Sequence, residues 1–239
     1  MNNSIEDAFN SSTYLVVEVN TDNLTPDEAN QLLMDYGMYA QGEGFKENVS
    51  EELYSKLNEQ FQAYGIGLEL LNDFKPFVIY NMFSQFILES LGYQAKYGVD
   101  VYFLERAKIS NKTILELETM EFQFSLLSSI PDESIIMGMQ YDVDNPETEK
   151  YLQDLFDAWI TGDPDKMEVI VFEALVEEPG LAPYYEIMYD QRNLSMAQKI
   201  EEFLADEAVY FIIVGAGHLV GENGLINLLK NRGYIVEQL

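Results

Sequence analysis

The sequence predicts an α/β fold with a small central β-sheet, a strand–G-x-x-H turn–helix–strand unit at its end, and a large helical insertion. Three observations predict it. The β-branched, apolar runs are short and few, at 13–19, 112–119 and 209–214. Helical periodicity fills most of the rest. No linker of flexible composition divides the chain, so residues 1–239 read as one domain, with helical insertions at about 24–97 and 132–200.

The elements follow in order. "TYLVVEV", 13–19, reads as a buried strand. "TPDEANQLLMDYG" starts a helix: Thr25 caps, Pro26 suits the first turn, and Asp27 and Glu28 favour the positive end of the dipole. "SEELYSKLNEQFQAYG" carries Leu53, Leu57, Phe61 and Tyr64 at helical spacing, with Gly65 as a stop. "PFVIYNMFSQFILESLG", 76–92, is apolar almost all round and predicts a buried helix whose Met and Phe residues pack a core. "GVDVYFLERAKISN" reads as a helix capped by Asp100, and "KTILELET", 112–119, as a strand. Helical patterns fill 119–130 and roughly 145–205, broken near Gly162–Pro164 and Pro179–Pro183. The chain closes with strand 209–214, a Gly-His turn, a helix at 222–232 and a strand in "YIVEQ".

The two ends of the chain echo each other. A shift of 220 positions lays Ile5 on Leu225, Ala8 on Leu228, Phe9 on Leu229, Tyr14 on Tyr234, Leu15 on Ile235 and Val16 on Val236. Both segments read as helix, polar turn, strand, which suggests a duplicated unit whose first copy lacks its leading strand and turn.

Composition excludes several function classes. Asp and Glu outnumber Lys and Arg by 42 to 13, a formal net charge of −29 with no basic stripe. Nucleic acid and anionic lipid are therefore poor partners, while cations, metals and basic peptides remain open. The chain has no cysteine, so thiolate nucleophiles, thiolate zinc sites and disulfides are ruled out. No apolar stretch is long enough to span a bilayer, and "MNNSIEDAFN" lacks the pattern of a signal peptide. As given, the chain reads as soluble. A signal or lipoprotein segment upstream of Met1 would make it extracytoplasmic.

The one histidine, His218, stands in "GAGH" at the end of an apolar strand. Glycines let the backbone turn sharply there, and α/β proteins place ligands at the C-terminal ends of their strands. A neutral imidazole in that place serves as metal ligand or general base; the alternative is a structural turn residue. As a glycine-flanked turn residue, His218 is expected to contribute little to stability. The turn is no P-loop, because no Lys and Ser/Thr follow in the required order.

The longer stretch "FIIVGAGHLVGENGLINLLKNRGYIVEQL" resembles the C-terminal signature of the TraB/PrgY/GumN family, related to the Tiki proteins. "IEDAFNSSTYLVVEVN", "YGVDVYFLERAK", "KTILELETMEFQ" and "DQRNLSMAQKI" resemble further family blocks in the right order. The resemblance implies an erythromycin-esterase/ChaN-like fold and a metal-dependent hydrolase, peptidase-like, acting on a peptide or small-molecule substrate with a divalent ion (Mn, Co or Zn). The alternative is a non-catalytic protein that sequesters a peptide or cofactor; haem binding is known for the ChaN fold and would rest here on His218 or a Tyr.

Carried onto this chain, the family's polar positions are Glu18, Arg192 and His218 as catalytic residues, with His218 and Glu18 as metal ligands and Asp100 and Glu118 in support. Glu18 and His218 would hold a cation or activate water, and Arg192 would steady a carboxylate or oxyanion. Bland readings stand beside these: Asp100 as a helix cap, Glu118 as a cap for a helix near Thr119, Arg192 in an ordinary ion pair. The family's first G-x-x-H motif has no counterpart before "SIEDAF". Either the start is set late or this member has lost the motif. An unpaired sheet edge is then expected beside 13–19 or 209–214, open to homodimer formation.

Overall fold

Three four-residue strands carry the sheet in the computed structural model, which describes residues 3–145 and 147–238. In chain order the elements are α1 (Asn3–Ser11), β1 (Tyr14–Val17), α2 (Pro26–Tyr36), α3 (Phe45–Asn48), α4 (Glu51–Ala63), α5 (Pro76–Ser90), α6 (Val99–Ile109) and β2 (Thr113–Glu116). They continue with α7 (Met120–Leu127), α8 (Asp132–Asp144), α9 (Thr148–Thr161), α10 (Pro164–Glu177), α11 (Ala182–Tyr185), α12 (Arg192–Leu204), β3 (Tyr210–Ile213) and α13 (Leu225–Asn231). A π-helical stretch, Glu186–Gln191, leads into α12. The fold is α/β, with a small parallel sheet among many helices. No helix among the described residues is long and apolar enough to cross a membrane.

The chain divides into two compact units. The first gathers residues up to Leu24, Gln94–Phe122 and Met188 onward. Its sheet has the order β2-β1-β3, all parallel, with Val17 level with Glu116 on one side and Ile213 on the other. A central parallel strand is covered on both faces, which is why β1 reads as an unbroken apolar run. Leu15 and Val17 pack with Phe9 of α1, Phe103, Leu104 and Ala107 of α6, and Ile213. Val16 points the other way, to Met196, Ala197 and Ile200 of α12 and Leu225 of α13. The result is three layers, helices on either side of the sheet.

The second unit, Thr25–Tyr93 with Gln123–Ile187, is helical. Thr25 and Glu28 form a reciprocal capping box at the start of α2. Ser50 caps α4, whose Leu53, Leu57 and Phe61 are buried, and Gly65 takes a positive φ just beyond its end. Gly162, at φ 65°, closes α9 in the left-handed conformation.

Several expectations need correction. "YIVEQ", 234–238, forms no strand, and the Tyr234 amide donates back to the Leu229 carbonyl at 3.1 Å. The echo between the chain ends therefore stops at the helix. A parallel strand needs a neighbour's backbone groups to satisfy its own, and the sheet among the described residues consists of β2, β1 and β3 alone. Helix α8 lies in the expected helical insertion 132–200 but outside the helical patterns read at 119–130 and 145–205, because Gly138 and the acids around it blur its apolar period. Helix α5 is amphipathic: Pro76, Phe77, Ile79 and Phe83 are buried, while Asn81, Gln85 and Glu89 form an exposed stripe four residues apart. Helix α6 is capped by Gly98, and Asp100 lies inside its first turn without a capping hydrogen bond. β1 is paired on both sides, so among the described residues the free edges belong to β2 and β3.

Candidate functional site at the C-terminal ends of the strands

Parallel strands in register deliver their next residues to one edge of the sheet. Glu18 follows β1 directly. The pairing continues one step past β2, where the Leu117 and Glu118 amides donate to the Val17 and Glu18 carbonyls at 2.9 and 2.8 Å. β3 is followed by Val214 and Gly215, and a tight turn, Ala216–His218, closes with the His218 amide donating to the Gly215 carbonyl at 2.9 Å. The Gly215 amide donates to Glu18 Oε1, so the turn is fastened to the end of β1.

Helix α12 brings the cation. Arg192 opens it and is buried, as is Glu118. Arg192 Nε donates to Glu118 Oε1 at 3.0 Å and Nη2 to Glu118 Oε2 at 2.8 Å, a forked pair. The same Nη2 donates to Glu18 Oε2 at 2.7 Å. Arg192 thus reaches a carboxylate 174 positions away in sequence. Burial alone would lower the Arg192 pKa, but the hydrogen bonds and charges of Glu118, then Glu18, outweigh it and the pKa is raised. Glu118 is not a helix cap: Thr119 Oγ1 accepts from the Phe122 amide instead.

His218 is buried, 5% exposed, contrary to the expectation of an exposed turn residue. Its ring lies 5.4 Å from that of Tyr189. Gly217 makes this approach possible, since a Cβ there would stand 2.7 Å from Tyr189 Cε1. Nδ1 is 2.7 Å from Asn193 Oδ1. On the other side Nε2 faces Glu18 Oε2 at 3.8 Å. Burial lowers the His218 pKa, against the raising pull of Glu18, so the ring is held neutral.

Four of the five residues singled out from sequence therefore meet: Glu18, Glu118, Arg192 and His218. Asp100 stands outside the hydrogen-bonded group. Although its surface is open, the protein around it and then the charge of Glu18 raise its carboxyl pKa. Sequence reasoning missed Asn193, Tyr189 and the Gly215 amide. Asn193 had a signal, a polar residue of poor helix propensity next to Arg192 in a helical stretch. Tyr189 had none, because the wide π turn that carries it shifts the helical phase.

The donors can be tested for a cation. Two carboxylates against one guanidinium and a neutral imidazole leave the group with a net negative charge. His218 Nε2 and Glu18 Oε2, facing each other, suit a divalent ion that keeps several waters. Among the described residues no group of three or more His, Asp or Glu side chains has metal-holding geometry, so a closed three-ligand site does not fit.

A buried ion-pair group and a lone imidazole at the C-terminal edge of a parallel sheet define an α/β protein with a sheet-end site. The TraB/PrgY/gumN family model matches residues 1–238, and the chain belongs to that family. The uncharacterized protein YbaP of Escherichia coli (strain K12) is 26% identical over 188 residues, covering 79% of this chain and 69% of YbaP. YbaP of Shigella flexneri matches with the same figures. No solved structure matches.

Proposed function

We propose that this protein is a hydrolase of peptide-type bonds, with His218 as the proton-accepting group and a divalent cation as helper. The observation that carries the reading is the free face of the imidazole. Nε2 points at the Glu18 carboxylate from 3.8 Å, inside a negatively charged, mostly buried group. In this reading Nε2 takes a proton from the attacking water, and Glu18 stabilises the imidazolium that forms. The water oxygen bonds to the carbonyl carbon, the carbon–nitrogen bond breaks, and the proton passes to the departing amine. Arg192 pairs with both Glu18 and Glu118 and holds them in place. A divalent ion held by the Glu18 carboxylate would supply a polarised, more acidic water beside Nε2, whose lone pair stays free for the proton.

The test is incubation with a mixed peptide library plus Mn²⁺, Co²⁺ or Zn²⁺, read by mass spectrometry, beside metal titration followed on the His218 ring signals. Cleavage that needs metal and is lost in Glu18→Gln and His218→Ala is expected. Undisturbed ring signals at millimolar metal, with no cleavage, would refute it. That no third metal-holding side chain joins His218 and Glu18 among the described residues favours a second reading, a cation- or peptide-binding protein without turnover; metal-induced shifts without cleavage would select it.

A further inference from the structure

Asn193 is buried, 1% exposed, and lies at the start of α12 beside Arg192. Its side chain is used at both ends. Nδ2 donates to the Asn223 carbonyl at 2.9 Å, which leaves Oδ1 as the atom facing His218 Nδ1 at 2.7 Å. An amide oxygen only accepts, so the hydrogen in that contact belongs to the imidazole. A neutral ring carries one N–H. With it on Nδ1, Nε2 bears the lone pair and faces Glu18.

We infer that Asn193 is the positioning residue of this site: it holds the His218 ring in the Nδ1–H tautomer and ties the turn after it, through Asn223, to α12. Its place in catalysis rests on the hydrolase reading above; its effect on the ring does not. Without this acceptor, the Nε2–H form gains, because Glu18 Oε2 is the acceptor left within reach. The proton would then sit on the face the reaction needs free. A buried acceptor on the far nitrogen is the general way in which proteins orient a working imidazole.

The chain has one histidine, so its ring nitrogens can be read without assignment by ¹H–¹⁵N correlation in metal-free protein above pH 7.5. The wild type is expected to show a pyrrole-type Nδ1 and a pyridine-type Nε2. Asn193→Ala should move the ring towards the Nε2–H form. Asn193→Asp keeps an acceptor and should retain the wild-type pattern. A side chain needed only for packing would leave the tautomer unchanged in a folded Asn193→Ala protein. An Nε2–H wild type, or a folded Asn193→Ala with the wild-type pattern, overturns the inference. If Asn193→Ala does not fold, Asn193→Leu, which fills the space without an acceptor, decides in its place, and the wild-type spectrum stands as a test by itself. Because no substrate or metal is present, a negative cleavage assay leaves this result standing, and a wrong tautomer leaves the cleavage assay to be judged separately.

Discussion

Truncating His218 to Ala should cost far more than a turn residue normally does. The imidazole is 5% exposed, and Asn193 Oδ1 accepts from it in a buried place. Removing the ring leaves that acceptor without its partner, about 1–3 kcal/mol. It also opens a gap beside Tyr189, whose ring packs 5.4 Å away, so the total reaches about 2–4 kcal/mol. The probe matters. Trp159, the one tryptophan, lies in the helical unit and does not report on the sheet. Urea unfolding followed by far-ultraviolet circular dichroism should therefore be joined to hydrogen exchange of the β1 and β3 amides. A loss within about 0.5 kcal/mol, the scale of surface changes, would falsify the buried-anchor account and return His218 to the exposed turn that the sequence suggests.

Further outcomes follow from the same geometry. Arg192→Leu should destabilise by about 3–5 kcal/mol, since it removes the guanidinium paired with the buried Glu118 carboxylate. Adding Glu118→Leu should recover part of that loss, and a double-mutant cycle showing simple additivity would refute the pairing. Gly217→Ala should cost about 1–3 kcal/mol, because the new Cβ meets the Tyr189 ring at 2.7 Å. Gly215→Ala should be milder, its nearest contact being Glu18 Oε1 at 3.4 Å, and equal melting temperatures for the two variants would contradict the packing. The folded-state pKa of His218 lies below its ordinary 6.5, so the unfolded chain binds more protons between the two values. That contribution is complete above about pH 6.5 and lost as pH falls through the folded value. The wild-type urea midpoint should thus fall on acidification by a component missing from His218→Ala; parallel pH profiles for the two proteins would speak against it.

Local chemistry made much of the chain legible. The unbroken apolar run of β1 already told of a strand covered on both faces, and Thr25, Pro26 and Glu28 spelled out the start of α2. The clustering of Glu18, Glu118 and His218 was half visible, since each follows a strand and parallel strands end together. Sequence alone settled that this is a strongly acidic, cysteine-free α/β chain with one histidine at a strand end. Only the tertiary structure decided which acid meets which base. Asp100 looked like a cap and is none, because its helix starts at Val99 with Gly98 in the cap position. "YIVEQ" has strand composition but joins no sheet among the described residues, and pairing is a property of two segments, not one. His218 looked exposed because glycines flank it. It is buried because Tyr189, Arg192 and Asn193 close over the turn from a helix that the sequence places well upstream, and burial depends on what arrives from elsewhere in the chain.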